Sequence, residues 1–183
     1  PGDDPYVDSG NVSARITNAT GGNFENLVVN GAPAVTAVTD TIDTTTVTLT
    51  AASSVAEGGV ITYTASVGAP VTGSPVLVTL ANGQTITIAV GQSSGIINVP
   101  VTNDVYQGHA PLTNSIVGVS GGNYENLVAN QASVTTTVTD VQDTTTVVLS
   151  ATPPIAEVGT IVFTATVPSP VTCPPVAVTR GQG

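Results

Sequence analysis

An all-β fold, arranged as tandem antiparallel sandwich repeats of about 100 residues with one repeat complete and two partial, is predicted by three features of this 183-residue sequence. The chain repeats itself at a fixed spacing. Its apolar residues are mostly β-branched and alternate with threonine at the two-residue period of a strand. Short alternating runs are separated by Gly, Pro, Asn and Asp, and no 3.6-residue apolar period persists long enough for a substantial helix.

Shifted by 100 residues, positions 1–83 fall on 101–183 without a gap, and 38 of the 83 pairs are identical. This period therefore sets the folding unit, and it matches an ordinary domain length. The stretch from Val38 to Leu49 recurs from Val138 to Leu149. In each copy an alternating run ends, two aspartates follow three apart, and a second alternating run begins, which reads as a joint between consecutive domains. The expected organisation is 1–43 as the C-terminal part of a preceding repeat, 44–143 as a complete repeat, and 144–183 as the N-terminal part of the next. Flanks of about 40 residues seldom bury a core alone.

Within the complete repeat, the first strand runs from Thr46 to Ala51 and the second, after a turn at Ala56-Glu57-Gly58-Gly59, from Ile61 to Val67. A third, Pro75 to Leu80, meets a fourth, Thr85 to Val90, across Asn82-Gly83, a hairpin pair in which both residues accept positive φ. Gly95 to Val101, Leu112 to Val119 and Ser133 to Thr139 complete seven strands. Seven short strands per hundred residues fit a two-sheet sandwich of immunoglobulin-like type, although the cysteine pair and tryptophan of antibody domains are missing. A sandwich entered and left at opposite poles can be strung head to tail into a rod.

Composition narrows the function. Apolar residues make up 40% and aromatics 3%, so the core must come from Val, Ile, Leu, Ala and Thr methyls. Lysine is absent, Arg15 and Arg180 are the only strong bases, and the net charge is −10, which argues against nucleic acid or anionic lipid as a partner. No apolar run is long enough for a membrane-spanning helix and no export signal opens the sequence, so direct membrane insertion is not expected. Cys173 is the only cysteine, so it has no partner in the chain for a disulfide. His109 has Ser9 in its place in the other copy, and no nucleophile–base set, phosphate loop or zinc spacing can be assembled. An enzyme is not expected.

Ten of the twelve acids fall into five pairs one period apart: Asp4 with Asp104, Glu25 with Glu125, Asp40 with Asp140, Asp43 with Asp143, and Glu57 with Glu157. Acids serving only solubility could sit anywhere exposed, so this placement points to local jobs. Asp40 and Asp43 leave one repeat, and Glu57, in the first turn of the next, is expected to come back to the same pole. Asp140, Asp143 and Glu157 form the corresponding set. Asp104 with Asn103, or Asp3 with Asp4, adds oxygens if the loop after the fifth strand reaches that end. Crowded carboxylates call for a cation, and calcium suits them because it takes six to eight oxygens in loose geometry, with roughly 0.1–1 mM affinity in extracellular modules. The candidate metal ligands are thus Asp40, Asp43, Glu57, Asp104, Asp140, Asp143 and Glu157. The competing reading is that these are turn and cap carboxylates duplicated with the repeat. The Gly-Gly-Asn-aromatic-Glu-Asn-Leu-Val segments at 21–28 and 121–128 read as tight turns with a core aromatic, Glu25 and Glu125 staying open between solvent, cap and metal. Tyr6 and Tyr106 read as core or corner tyrosines with a bonded hydroxyl.

Several of these stretches carry a resemblance. Val-Ala-Glu-Gly-Gly-x-Ile-x-Tyr-Thr-Ala (55–65), Asn82-Gly83-x-x-Ile86-x-Ile88, Gly-Gly-Asn-Phe-Glu-Asn-Leu-Val and Val-Thr-Asp-x-x-Asp-Thr-Thr resemble the extender repeats of giant bacterial biofilm adhesins of the LapA type. The resemblance covers essentially the whole chain. It implies a protein exported by a type I system, held at the bacterial cell surface, and projecting its binding domains on a stalk of tandem units, so that the partners are neighbouring repeats of the same chain. Calcium stiffens such stalks in related adhesins, and by analogy maps onto Asp40, Asp43, Asp140, Asp143, Glu57 and Glu157. Val158 replaces Gly58, and Pro153-Pro154 replace Ser53-Ser54, so different turn geometry is expected at the second joint. Two alternatives stand beside the stalk. One is a module that grips glycan or a partner directly, and the other is a filament subunit in which 144–183 of one chain completes a sandwich with 1–43 of an identical chain.

Overall fold

The computed structural model describes residues 2–154 and 156–181, and among the described residues every helix or strand element is a strand. Residues 2–43 contribute β1 (Gly10–Ala14) and β2 (Ala34–Val38), paired antiparallel as a two-stranded sheet. The central stretch holds β3 (Thr44–Thr50), β4 (Ser54–Ala56), β5 (Val60–Ser66), β6 (Val76–Leu80), β7 (Thr85–Ile88), β8 (Ser94–Pro100), β9 (Leu112–Asn114), β10 (Ile116–Ser120), β11 (Asn126–Ala129) and β12 (Val134–Thr139). Beyond it, β13 (Val148–Ala151) and β14 (Phe163–Thr166) form a second two-stranded antiparallel sheet.

The alternation in the sequence becomes an inside and an outside. Thr45, Val47 and Leu49 of β3 are buried while Thr44, Thr46 and Thr50 are exposed, and Ile61, Tyr63 and Ala65 of β5 repeat the pattern. Val76, Val78 and Leu80 of β6 face Ile86 and Ile88 of β7 in the same core, and Ile116 and Val138 join them. One sheet has the order β11-β3-β5-β8; β10-β6-β7 and β4-β12-β9 supply the rest. The sixth expected strand is split, because β9 pairs with β12 while β10 pairs with β6 through a register shift between Ile116 and Gly118. Among the described residues, all the buried hydrophobic ones lie between Val47 and Val138.

The all-β sandwich is therefore as expected, with two additions. β4, just ahead of the expected 56–59 turn, and β11, largely in a stretch read as a turn, are further strands, and they pair parallel, β4 with β12 and β11 with β3, in an otherwise antiparallel arrangement. The cause of the second lies just upstream. Gly121 and Gly122 adopt positive φ, and a Cβ on Gly121 would stand 2.1 Å from the Pro75 carbonyl oxygen, so only glycine makes this close turn. Tyr124 then drops into the core, with its hydroxyl donating to the Ala69 carbonyl at 2.6 Å, and the chain continues along the edge of β3. In the first copy the corresponding Phe24 is 70% exposed, since the strands formed there build no core over it. The Asn82-Gly83 hairpin forms as expected, Gly83 at positive φ donating to the Leu80 carbonyl at 2.9 Å.

Candidate functional site

Strand β3 begins directly after Asp43 and carries the chain roughly 23 Å away before it turns. This corrects the grouping of Glu57 with Asp40 and Asp43. The hairpin of β3 and β5 closes at the far pole, so the 56–59 turn meets the end of β12: the Glu57 amide donates to the Thr139 carbonyl at 3.0 Å, and the Val141 amide donates to Glu57 Oε2 at 3.3 Å. Glu57 thus belongs with Asp140 and Asp143. The loop after β8 reaches the same pole, where Asn103 Nδ2 donates to Asp143 Oδ2 at 2.8 Å. Asp104 is on that loop, its Oδ1 accepting from the Tyr106 amide at 2.8 Å, and Asp140 Oδ2 accepts from the Gly108 amide at 3.4 Å.

Asp40 and Asp43, at the opposite pole, meet an acid left open in the sequence. The Asp43 amide donates to Glu125 Oε2. Asp40 Oδ2 accepts from the Asp8 amide at 3.0 Å, and the Thr41 hydroxyl donates to Asp3 Oδ1. The bond from the Asp43 amide pulls the Glu125 pKa down. Desolvation, the Asp40 side chain, and the charges of Asp40 and Asp43 together outweigh it and leave the pKa above the usual carboxylate range. Glu25 and Glu125 recur one period apart behind a double glycine, and that was the available signal for this position.

Glu157 is exposed, and its carboxylate makes no hydrogen bond among the described residues. The grouping of Glu157 with Asp140 and Asp143 is therefore corrected too, since the place beside Asp140 is taken by Glu57. The turn itself differs as expected only in part. Gly58 has positive φ and Val158 does not, yet Gly159 still donates to the Ala156 carbonyl at 2.8 Å, as Gly59 does to Ala56 at 3.0 Å.

Two observations decide what these acids can do. Among the described residues no three acidic side chains converge closely enough to hold an ion as they stand. Asp40, Asp104 and Asp140 serve as backbone caps, as the competing reading expects. Glu57 is different: it is only 5% exposed, and its Oε1 is buried with no hydrogen-bond partner. Glu125 Oε1, at the other pole, is buried and unpartnered as well. A buried, half-paired carboxylate is costly, and a hard cation is a group that would offset that cost. The donor set of Glu57, Asp140, Asp143 and Asn103, all oxygen-bearing and gathered at one pole, fits calcium chemically.

No curated protein and no solved structure matches the chain. The LapA domain family model matches residues 1–41 and 43–141. On that coverage, the chain belongs to the LapA domain family, which is adhesin-related.

Proposed function

We propose that this chain is a structural extender segment of a secreted bacterial surface adhesin, and that calcium bound at the joints stiffens a stalk used for cell attachment and biofilm formation. The observation that carries the cation is Glu57 Oε1, a buried carboxylate oxygen without a partner beside Asp140 and Asp143. Small movements of the exposed Asp140 and Asp143 side chains bring their oxygens to an ion held by Glu57, with Asn103 contributing its amide oxygen. Glu125 does the same for Asp40 and Asp43 at the other pole. The family match supports the adhesin part of the reading, and an all-β array with a small aromatic content supports a mechanical, non-catalytic role.

Thermal melting with calcium and with a chelator tests it. At about ten times the dissociation constant, binding to the folded state alone adds about 1.4 kcal/mol, which raises the melting temperature of a 100-residue domain by several degrees. Glu57→Gln is expected to abolish the rise originating at its own pole. Superimposable melts with calcium and chelator would count against the reading.

The alternative is strand exchange between identical chains, in which a second copy would cover Val147 and Leu149, 43% and 55% exposed here. A concentration-independent monomer in solution would dispose of this alternative.

A further inference from the structure

Tyr6 and Tyr106 lie outside the cation reading, and Tyr6, from the 1–43 segment, packs against the core of the 44–143 unit. We propose that the loop bearing each of them is a clasp that grips the next repeat without any metal, fixing the rotation between successive units. The proposal rests on the stalk reading in that it takes consecutive repeats as consecutive units. Its chemistry is independent of calcium.

The same bond forms twice at the same spacing. Tyr6 donates its hydroxyl to the Pro70 carbonyl at 2.5 Å, and Tyr106 donates to the Pro170 carbonyl at 2.9 Å. In both copies an aspartate two residues earlier shapes the loop, Asp4 Oδ1 accepting from the Tyr6 amide at 2.9 Å and Asp104 Oδ1 from the Tyr106 amide at 2.8 Å. Across positions 1–10 and 101–110, only this aspartate and this tyrosine are identical. The two residues that persist there are thus the hook and the group that sets its angle.

The receiving surface is visible at the first joint. The Tyr6 ring stacks on Tyr124 with centroids 5.5 Å apart and 26° between planes. Around it the backbones form one antiparallel bridge, the Val7 amide donating to the Asn123 carbonyl at 3.0 Å and the Glu125 amide donating to the Pro5 carbonyl at 3.2 Å. Asn123 Nδ2 adds a bond to the Val7 carbonyl at 3.2 Å. The Gly-Gly-Asn-aromatic-Glu-Asn-Leu-Val stretch, the longest nearly unchanged run of the repeat, therefore has a job beyond its turn: its first half is the seat for the preceding unit's tyrosine. A hydroxyl, a ring face and backbone pairs make this contact, and none needs a carboxylate to cross the joint. A stack and a hydroxyl bond at different points on one ring resist rotation as well as separation.

The test is a spin-label distance measured by pulsed electron resonance across the first joint, in the whole chain with Cys173→Ser and labels at Asn18→Cys and Asn82→Cys. With chelator present, so that no bound calcium contributes, the parent's distance distribution is the reference. Tyr6→Phe, which keeps the ring and loses the hydroxyl, should broaden it, and Tyr6→Ala should broaden it further, while hydrogen exchange in β5 stays slow in all three. A Tyr6→Ala distribution as narrow as the parent's, both in chelator, would overturn the clasp. Melting with and without calcium is a separate readout, so failure of the cation reading is seen there and not in these distances.

Discussion

Glu57, Tyr124 and Gly121 show how much rests on single positions. Gly121 combines positive φ with a carbonyl oxygen in the space a Cβ would take. Gly121→Ala is therefore expected to cost about 2 kcal/mol or more, read as a lower denaturation midpoint, because backbone strain and a steric clash act together. Tyr124 sends its hydroxyl to the Ala69 carbonyl, so Tyr124→Phe should cost about 1 kcal/mol. Burial, and then the neighbouring Tyr6, push the Tyr124 phenol pKa above its ordinary value. A raised folded-state pKa means that the neutral phenol is favoured in the fold. The contribution is fully present below a pH of about 10 and is lost as pH rises through the higher folded value. Alkaline unfolding monitored by circular dichroism should show this loss in the parent and a smaller one in Tyr124→Phe.

At the scale of the element, period-2 alternation made most of the sandwich legible. β3, β5, β6 and β7 fall where Val47, Ile61, Val76 and Ile86 place them, because a half-buried strand records its two faces in its residues. Ile61→Ala should accordingly cost about 2–5 kcal/mol in chemical denaturation, since Ile61 is fully buried between strands that cannot collapse onto the void. β4 and β11 were not legible for a physical reason: each is a short edge strand, β4 leading into the 56–59 turn and β11 following the one at Gly121, and Asn126–Ala129 contains no alternating face. The candidate site was legible as a recurrence of acids and not as a grouping. Charge periodicity singled out Asp40, Asp43, Asp140 and Asp143, but which glutamate meets which joint depends on where a hairpin closes. The seven residues of β3 carry Glu57 to the far pole, and the strand-leading turn at Gly121 brings Glu125 to the near one.

For the whole molecule, the same sign of charge recurs at each joint and the net charge is −10, so like charges oppose one another wherever two such units meet. Monovalent salt screens such charges over a length of about 8 Å at physiological strength, whereas a bound divalent ion acts on particular oxygens. Raising sodium chloride and adding calcium are thus expected to differ, the first softening repulsion gradually and the second acting at a saturable site. Small-angle X-ray scattering of the chain under calcium, magnesium, sodium chloride and chelator measures this most directly. Calcium alone, at submillimolar to millimolar concentration, is expected to shift the profile saturably towards that of a stiffer arrangement of units, and Glu57→Gln to weaken the shift. Profiles identical in calcium and chelator, or a shift reproduced by sodium chloride at equal ionic strength, would contradict it.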